Sequence, residues 1–343
     1  MRDGVSDVTH SGATITSILP SVSAIIPTYQ RPAEVLRAVR SALDQSHRPA
    51  EVIVVVDGRD DETLKALRSI VDPALRALVP DRHLGNASAR NYGVAHASAE
   101  WVAFLDDDDE WLPHKLDLQL RAAAASRFTL PIIACRVIAR TGRVDLIWPR
   151  RLPRSGEPLC DYMCRRSLPL SGEGLVQSSM IVTPRELLAR VPFSDGLRRH
   201  VDSDWALRAV REPGAGIVFP DTREPLAIWH IEPGRKRVST DSDWRYSLSW
   251  GRSRRDLFTP QAYAGFICKS VSSAAAAAGD RTAFFELLRE ARRFGRPSWV
   301  DLASHLMNFL LSPTARDVIW SAARRRTYTK ARTRRPLGGG VLR

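Results

Sequence analysis

Four consecutive aspartates, Asp106 to Asp109, follow the apolar stretch Trp101-Val-Ala-Phe-Leu105. Carboxylates delivered together onto one loop repel each other unless a cation or hydrogen-bond donors stand close by. The hard divalent ions Mg²⁺ and Mn²⁺ suit such a cluster, because they take one or two carboxylates and fill the shell with phosphate oxygens and water. In an extended stretch alternate side chains point the same way, which predicts Asp106 and Asp108 on one side and Asp107 on the other. The plainer reading is a solvated turn leading into a helix from Pro113 to Ala125, but emergence from a buried strand favours the metal. Arg90, in Gly85-Asn-Ala-Ser-Ala-Arg-Asn-Tyr-Gly93, has the planar fork that pairs with carboxylates or grips a diphosphate. Asp202 and Asp204 open the helix-like segment His200-Val-Asp-Ser-Asp-Trp-Ala-Leu-Arg208. A carboxylate at a helix start is ordinarily a cap, and residues two apart do not share a face, so at most one serves as a base. His230 and Glu232, in Trp229-His-Ile-Glu-Pro-Gly234, alternate at a strand end where either could complete a metal shell.

Strands must deliver these groups. Ser23 to Ile26, Glu51 to Val56, Leu75 to Val79 and Trp101 to Leu105 read as β-strands, the second β-branched almost throughout, as a strand covered on both faces would be. Helical spacing fills the intervals: Val35, Leu36, Val39 and Leu43 behind Pro32, then Thr63 to Ile70, then the small-residue stretch 85–97. Such alternation predicts an α/β layer with a mainly parallel sheet, and ligands of such sheets sit beyond the carboxyl ends of the strands. Thr28 and Tyr29, Asp57, and Asp106 to Asp109 all fall at such ends. From 130 to 235 short β-like segments alternate with loops, and Ser155 to Gly174 reads as a loop. Beyond 240 the spacing becomes helical over Ala262 to Ala278, Arg281 to Phe294, Trp299 to Leu311 and Thr314 to Arg325, a helical appendage.

The 343 residues are 44% hydrophobic and 26% charged, ordinary for a core-forming chain and incompatible with global disorder. No apolar run is long enough for a spanning helix, and residues 1–21 lack the apolar centre of a secretory leader. Four scattered cysteines predict reduced thiols in a cytosolic protein, which makes the sequon Asn86-Ala-Ser88 fortuitous. Of the net charge of +13, eight basic residues lie between Ser321 and Arg343 with no acidic residue among them. Such a tail suits nucleic acid or an anionic membrane surface, the latter at about 1 kcal/mol per Lys or Arg, and equally reads as a solvated, disordered end. Because the excess is concentrated there, no nucleic-acid partner is expected. The phosphate loop of nucleotide triphosphatases, the dinucleotide fingerprint and the H-E-x-x-H zinc motif are all missing.

Together the motifs resemble those of glycosyltransferase family 2, inverting nucleotide-sugar enzymes of the GT-A fold. The matching stretches are Ser23-Ala-Ile-Ile-Pro-Thr-Tyr-Gln-Arg-Pro32, Val54-Val-Val-Asp-Gly-Arg-Asp-Asp-Glu-Thr63, Gly85 to Gly93, Phe104-Leu-Asp-Asp-Asp-Asp-Glu-Trp-Leu-Pro113 and, more loosely, Asp202 to Arg208. The likeness is dense over residues 22–125 and thinner to about 240. It implies an α/β fold with a GT-A-type, Rossmann-like mixed sheet flanked by helices and a C-terminal helical region. The expected division is a flexible N-terminus (1–21), a GT-A domain (22–240), a helical region (241–325) and a basic disordered tail (326–343).

The implied activity is metal-dependent, inverting transfer of a sugar from a nucleotide-diphosphate donor, a UDP-sugar by preference, to a hydroxyl of a glycan or lipid-linked acceptor. The implied setting is bacterial surface or extracellular polysaccharide synthesis, in the cytoplasm at the inner face of the membrane. By the same resemblance Pro27, Thr28, Tyr29 and Arg31 line the nucleotide pocket, Asp57 accepts from the base, and Arg90, Asp106 and Asp107 lie along the donor. Asp106 and Asp108 match the D-x-D pair that contacts ribose and Mg²⁺ or Mn²⁺, and Asp202 matches the catalytic base, with Asp204 as the alternative. Three departures stand out. Val56 replaces the first of two aspartates, Val201 replaces the glutamate before the base, and Glu232 holds the family's histidine position with His230 displaced by two. The third metal ligand therefore lies between Glu232 and His230. Two rival readings are a GT-A-like nucleotidyltransferase, which lacks its Gly-rich basic loop here, and a catalytically degenerate binding protein, which Val201 favours and the intact acidic run opposes.

Overall fold

The computed structural model describes residues 19–142, 145–167, 173–232 and 243–311. The expected flexible residues 1–18, the helix over 314–325 and the basic tail lie outside the described residues. The first half follows the predicted alternation: β1 (Val22–Thr28), α1 (Pro32–Leu43), β2 (Glu51–Val56), α2 (Asp61–Leu67), β3 (Leu75–Leu78), α3 (Asn86–Ala95) and β4 (Trp101–Phe104). There follow β5 (Glu110–Trp111), α4 (Lys115–Ala124), β6 (Leu130–Ile133), β7 (Val137–Arg140), β8 (Asp145–Trp148) and α5 (Leu159–Cys164). Next come β9 (Val182–Pro184), α6 (Arg185–Arg190), α7 (Val201–Ala209), β10 (Ala215–Val218) and β11 (Ala227–His230).

Seven strands make one sheet in the order β10-β6-β9-β4-β1-β2-β3. The strands β4, β1, β2 and β3 run parallel, whereas β9 is antiparallel to both β4 and β6, so the sheet is mixed. A smaller sheet, β5-β11-β7-β8, stands beside it. Every residue of β1 and β2 except Pro27 is buried, which accounts for their near-continuous apolar sequence. α1 begins with Pro32, whose missing N–H costs nothing in a first turn, and turns Val35, Ala38, Val39, Ala42 and Leu43 toward the sheet. α3 comes close to the sheet, with Ala87, Ala89 and Gly93 buried; a Cβ on Gly93 would come within 2.5 Å of Ile25 Cγ2.

Two expectations need correction. The stretch Ser155 to Gly174 contains α5, held because Leu159, Cys160 and Tyr162 fit into the main core. The C-terminal region is not an appendage. α8 (Trp244–Ser253), α9 (Pro260–Gly265), α10 (Ser272–Ala277), α11 (Ala283–Phe294) and α12 (Trp299–Leu310) pack round Trp250, Phe266 and Ile267, with a π-helical run, Phe266–Val271, joining α9 to α10. That core reaches back to the sheet domain through Cys164, Leu197 and Phe258. No described helix is long and apolar enough to cross a membrane.

Glu51 is the one charged residue inside β2. Its carboxylate accepts from Ser23 Oγ (2.7 Å), from Ser98 N and Oγ (2.6 and 2.7 Å) and from Arg76 (2.5 Å). Burial alone would raise its pKa, but these donors outweigh burial and hold it at about 2. A depressed carboxylate stabilises the fold fully above its unfolded pKa and ceases to do so as pH falls through the folded one. Glu51→Gln is expected to cost about 2 kcal/mol at pH 7, with the gap to the parent closing between pH 4.5 and about 2. Denaturant unfolding at a series of pH values measures it.

Candidate active site

The carboxyl ends of β1, β2 and β4, the start of α3, the segment before β9 and the start of α7 enclose a cavity of about 580 Å³. It collects the predicted residues from five separate elements: Pro27 and Thr28 at the end of β1 with Tyr29 and Arg31 just beyond it, Asp57 after β2, Arg90 on α3, Asp106, Asp107 and Asp108 after β4, and Asp202 on α7. Three predicted residues, Asp204, His230 and Glu232, are absent from its walls.

The aspartate run is a turn rather than an extended segment, closed by Asp109 N–H donating to Asp106 O at 3.0 Å. The expected alternation is therefore lost: Asp106, Asp107 and Asp108 all face the cavity, and Asp109 turns inward. Each has a different environment. Asp107 accepts from Thr28 Oγ1 at 2.8 Å and Arg31 at 2.9 Å, and Arg31 also meets Asp108 at 3.1 Å. Burial pushes the Asp107 carboxyl up to about 6; Arg31 opposes this, and the neighbouring charges of Asp108 and Asp106 add to it. Asp109, fully buried, accepts from Ser179 Oγ (2.6 Å), Gln177 (3.1 Å) and the His230 backbone (3.2 Å). Burial and the Asp106 and Asp108 charges raise it well above the ordinary carboxylate range.

Arg90 is 1% exposed and donates to Asp106, Asn86 and Ser178 Oγ, the last at 2.6 Å. Ser178 Oγ lies 3.0 Å from Asp202 Oδ1, and its backbone N–H donates to Asp202 Oδ2 at 3.2 Å. Arg90 itself stands 3.9 Å from Asp202. Desolvation raises the Asp202 pKa and the charge of Asp106 contributes, against the pull of Arg90 and Ser178. A carboxylate raised in this way is a better proton acceptor than one free in water.

The side of the cavity formed by the loops after β1 and β2 is equally built. Asp57 accepts from the backbone N–H groups of Leu84 (2.6 Å) and Gly85 (2.8 Å), with His83 Nδ1 at 3.1 Å, and so fixes the loop that starts α3. Tyr29, about half exposed, meets the His83 ring at 4.6 Å between centroids and forms an aromatic rim. Gln30 beside it holds a left-handed φ of 55°, a conformation uncommon outside glycine and one that gathers at functional loops.

Asp204 is a structural group. It is fully buried and accepts from Ser194 (2.6 Å), Arg208 (2.8 Å), Arg254 (2.8 Å) and Trp250 (3.2 Å). Burial works against its ionisation, yet these donors outweigh it and lower its pKa. His230 is likewise committed, with Nε2 2.7 Å from Glu110 and Nδ1 2.9 Å from Glu232. Neither His230 nor Glu232 is among the residues that line the cavity, and β11, which ends at His230, pairs with β5. Among the described residues no three His, Cys, Asp or Glu side chains cluster as an all-protein metal site. What faces the cavity is a set of three carboxylates, of which Asp107 is raised chiefly by burial. Such a set fits a hard divalent ion that takes two carboxylates and leaves the remaining positions to diphosphate and water.

Sequence reasoning missed several lining residues, Gln177, the cations Arg198 and Arg199, and His200, and the buried Ser178 behind them. Gln177-Ser-Ser-Met180 carries no spacing or charge signal, so only the fold reveals Ser178 as a bridge. His200 precedes α7 with φ 62°, stacks on Trp250 at 4.5 Å, and burial lowers its pKa to about 4, so the ring is neutral.

The profile of the family Glycosyl transferase family 2 matches residues 23–178. AmsB of Erwinia amylovora, an amylovoran biosynthesis glycosyltransferase, is 28% identical over 262 residues, which span 71% of this chain and 82% of AmsB. TuaG of Bacillus subtilis, named for teichuronic acid biosynthesis, is 37% identical over 223 residues, or 63% of this chain and 73% of TuaG. Of solved structures, S. aureus TarS 1–349 in complex with UDP-GlcNAc aligns with a TM-score of 0.55 at 16% identity, covering 84% of this chain and 89% of that one. The mannosyltransferase PcManGT from Pyrobaculum calidifontis, in complex with GDP-Man and Mn²⁺, aligns with a TM-score of 0.51 at 19% identity over 86% and 88%. The two structures share the fold, and the relationship to TuaG across most of its length settles the kinship: this chain belongs to glycosyltransferase family 2 and is a glycosyltransferase of the GT-A fold.

Proposed function

We propose that this glycosyltransferase moves a sugar, with inversion and with the help of a divalent metal, from a nucleoside-diphosphate donor to a hydroxyl of a glycan or lipid-linked acceptor. The setting we propose is the assembly of a bacterial surface or extracellular polysaccharide, the purpose for which AmsB and TuaG are named. The observation that carries the reading is the placement of Asp106 and Asp108 on one side of a single cavity and Asp202 on another, with the buried Arg90–Ser178 pair between them.

Donor binding falls to the loops after β1 and β2. Tyr29 and His83 offer a rim for the base, and Asp57 holds the loop against which the base lies. UDP is the nucleotide we put first; TarS is bound to UDP-GlcNAc and PcManGT to GDP-Man, which supports the nucleotide-sugar class rather than one base. Arg31 and the wall residues Arg198 and Arg199 supply positive charge toward the diphosphate. Asp106 and Asp108 would hold Mg²⁺ or Mn²⁺, which when bound offsets the charge that gathers on the departing diphosphate. Asp202 takes the proton of the acceptor hydroxyl as its oxygen bonds to the anomeric carbon and the bond to the diphosphate breaks. Arg90 is a positioning residue for both carboxylates. An acceptor carried on lipid would bring the enzyme to the inner face of the cytoplasmic membrane.

Three substitutions separate these roles. Asp108→Asn is expected to weaken Mn²⁺-dependent UDP binding at least about tenfold, measured by calorimetry with and without the metal; unchanged binding would remove Asp108 from the metal site. Asp202→Asn is expected to bind donor normally while transfer falls by about 10²–10⁴, and normal turnover would end its assignment as base. Asp204→Asn is expected to lose about 3 kcal/mol of stability with turnover per folded molecule kept, because its four donors lie outside the cavity; lost turnover in a fully folded variant would reverse the two aspartates.

A further inference from the structure

α12 is amphipathic in the opposite sense to a helix resting on a protein in water. Its inward side is polar: Asp301 pairs with Lys269 at 2.8 Å, His305 Nδ1 meets Ser272 Oγ at 2.7 Å, and Asn308 reaches Cys268 O at 3.4 Å. Its outward side carries Trp299, Leu302, Ala303, Leu306 and Leu310, which recur every three or four residues and so form one stripe. Trp299 is 72% exposed, Leu310 71% and Leu306 47%. The stripe continues onto α11, where Phe284 packs edge-on against Phe309 at 5.4 Å and its neighbour Phe285 is 70% exposed. A contiguous apolar face of this kind marks something that covers it.

Charge identifies the cover. Arg289 and Arg292 are exposed on the same face of α11 as Phe285, at helical spacing, and Arg293 and Arg296 are exposed on the way to Trp299. The 32 residues that follow Leu311 contain nine Lys or Arg and a single acidic residue, Asp317. A second copy docked here about a two-fold axis would set these arginines against themselves. The chain's own basic segment would meet the same repulsion. An anionic bilayer satisfies both halves of the surface: the apolar side chains enter the acyl boundary, the indole and guanidinium groups lie at headgroup depth, and the basic segment finds anionic phosphate.

We propose that the outward face of α12, together with Phe285 of α11, is an insertion surface that docks this enzyme in the plane of an anionic lipid bilayer. The inference gives physical form to the membrane location proposed above and is independent of the catalytic assignments, which nucleotide-sugar turnover in vesicle-free solution tests separately.

Flotation of the full chain with vesicles of phosphatidylcholine, alone or with about a third phosphatidylglycerol, is the test. The parent is expected to float with the anionic vesicles. The double variant L306D/L310D, which keeps every arginine, is expected to partition at least about tenfold less with its thermal midpoint and vesicle-free turnover unchanged. Equal flotation of parent and variant would mean adsorption by charge alone and would overturn insertion, as would failure of the parent to bind. Two further results would also overturn it. One is a parent dimer in sedimentation that the double variant dissolves, which gives the face to a second copy. The other is a Leu310→Cys thiol that resists a water-soluble maleimide in a vesicle-free monomer, which gives it to the chain's own remaining residues.

Discussion

Arg90 reaches out of α3 into a space with almost no water and there meets Asp106 directly and Asp202 through Ser178. Two carboxylates facing one cavity would otherwise drive each other toward protonation. The guanidinium can do this only because α3 lies close to the sheet, and α3 lies close only because its inner face is Ala87, Ala89 and Gly93. A backbone constraint, the lack of a Cβ at one glycine, thus underlies the electrostatic arrangement of the site.

Around that centre, environment rather than residue type divides the labour among the aspartates. Asp106 and Asp108 border the cavity, the one beside Arg90 and the other beside Arg31. Asp107 ties the turn to the β1 loop through Thr28 and Arg31. Asp109 ties it to the second sheet through the His230 backbone. Asp202 and Asp204, two residues apart on α7, point into different worlds: one into the cavity, the other into a cage of arginines and an indole.

Much of this could be read in the residues. Buried parallel strands announce themselves by unbroken β-branched runs, and polar groups at their ends mark a crevice, which is why Thr28, Asp57 and Asp106 stand out in the sequence and line one cavity in the structure. That Asp202 and Asp204 could not share a face also followed from helical geometry alone. What was not legible depends on contacts distant in sequence. Ser178 is an ordinary serine until Arg90 and Asp202 arrive on either side of it. His230 and Glu232 read as ligands because their types and alternation suit metals; that His230 lies between Glu110 and Glu232 depends on a strand far away in sequence. The aspartate run was misjudged as extended because a tight turn of four like charges is costly without the serine and glutamine donors that Asp109 finds from 177 and 179. α5 was missed because its six residues are too few to show a period and owe their helicity to packing.

The left-handed His200 sits at the hinge between sheet domain and C-terminal helices, its ring laid on Trp250 and bonded to Ser247 at 2.9 Å. The first turn of α7 therefore takes its orientation from residues that follow 243 in the chain. Any recombination that keeps the nucleotide-binding half of one relative and borrows the C-terminal helices of another must preserve an indole at 250 and a guanidinium at 254. Without them the aspartate two places before 204 would be aimed by a different set of walls.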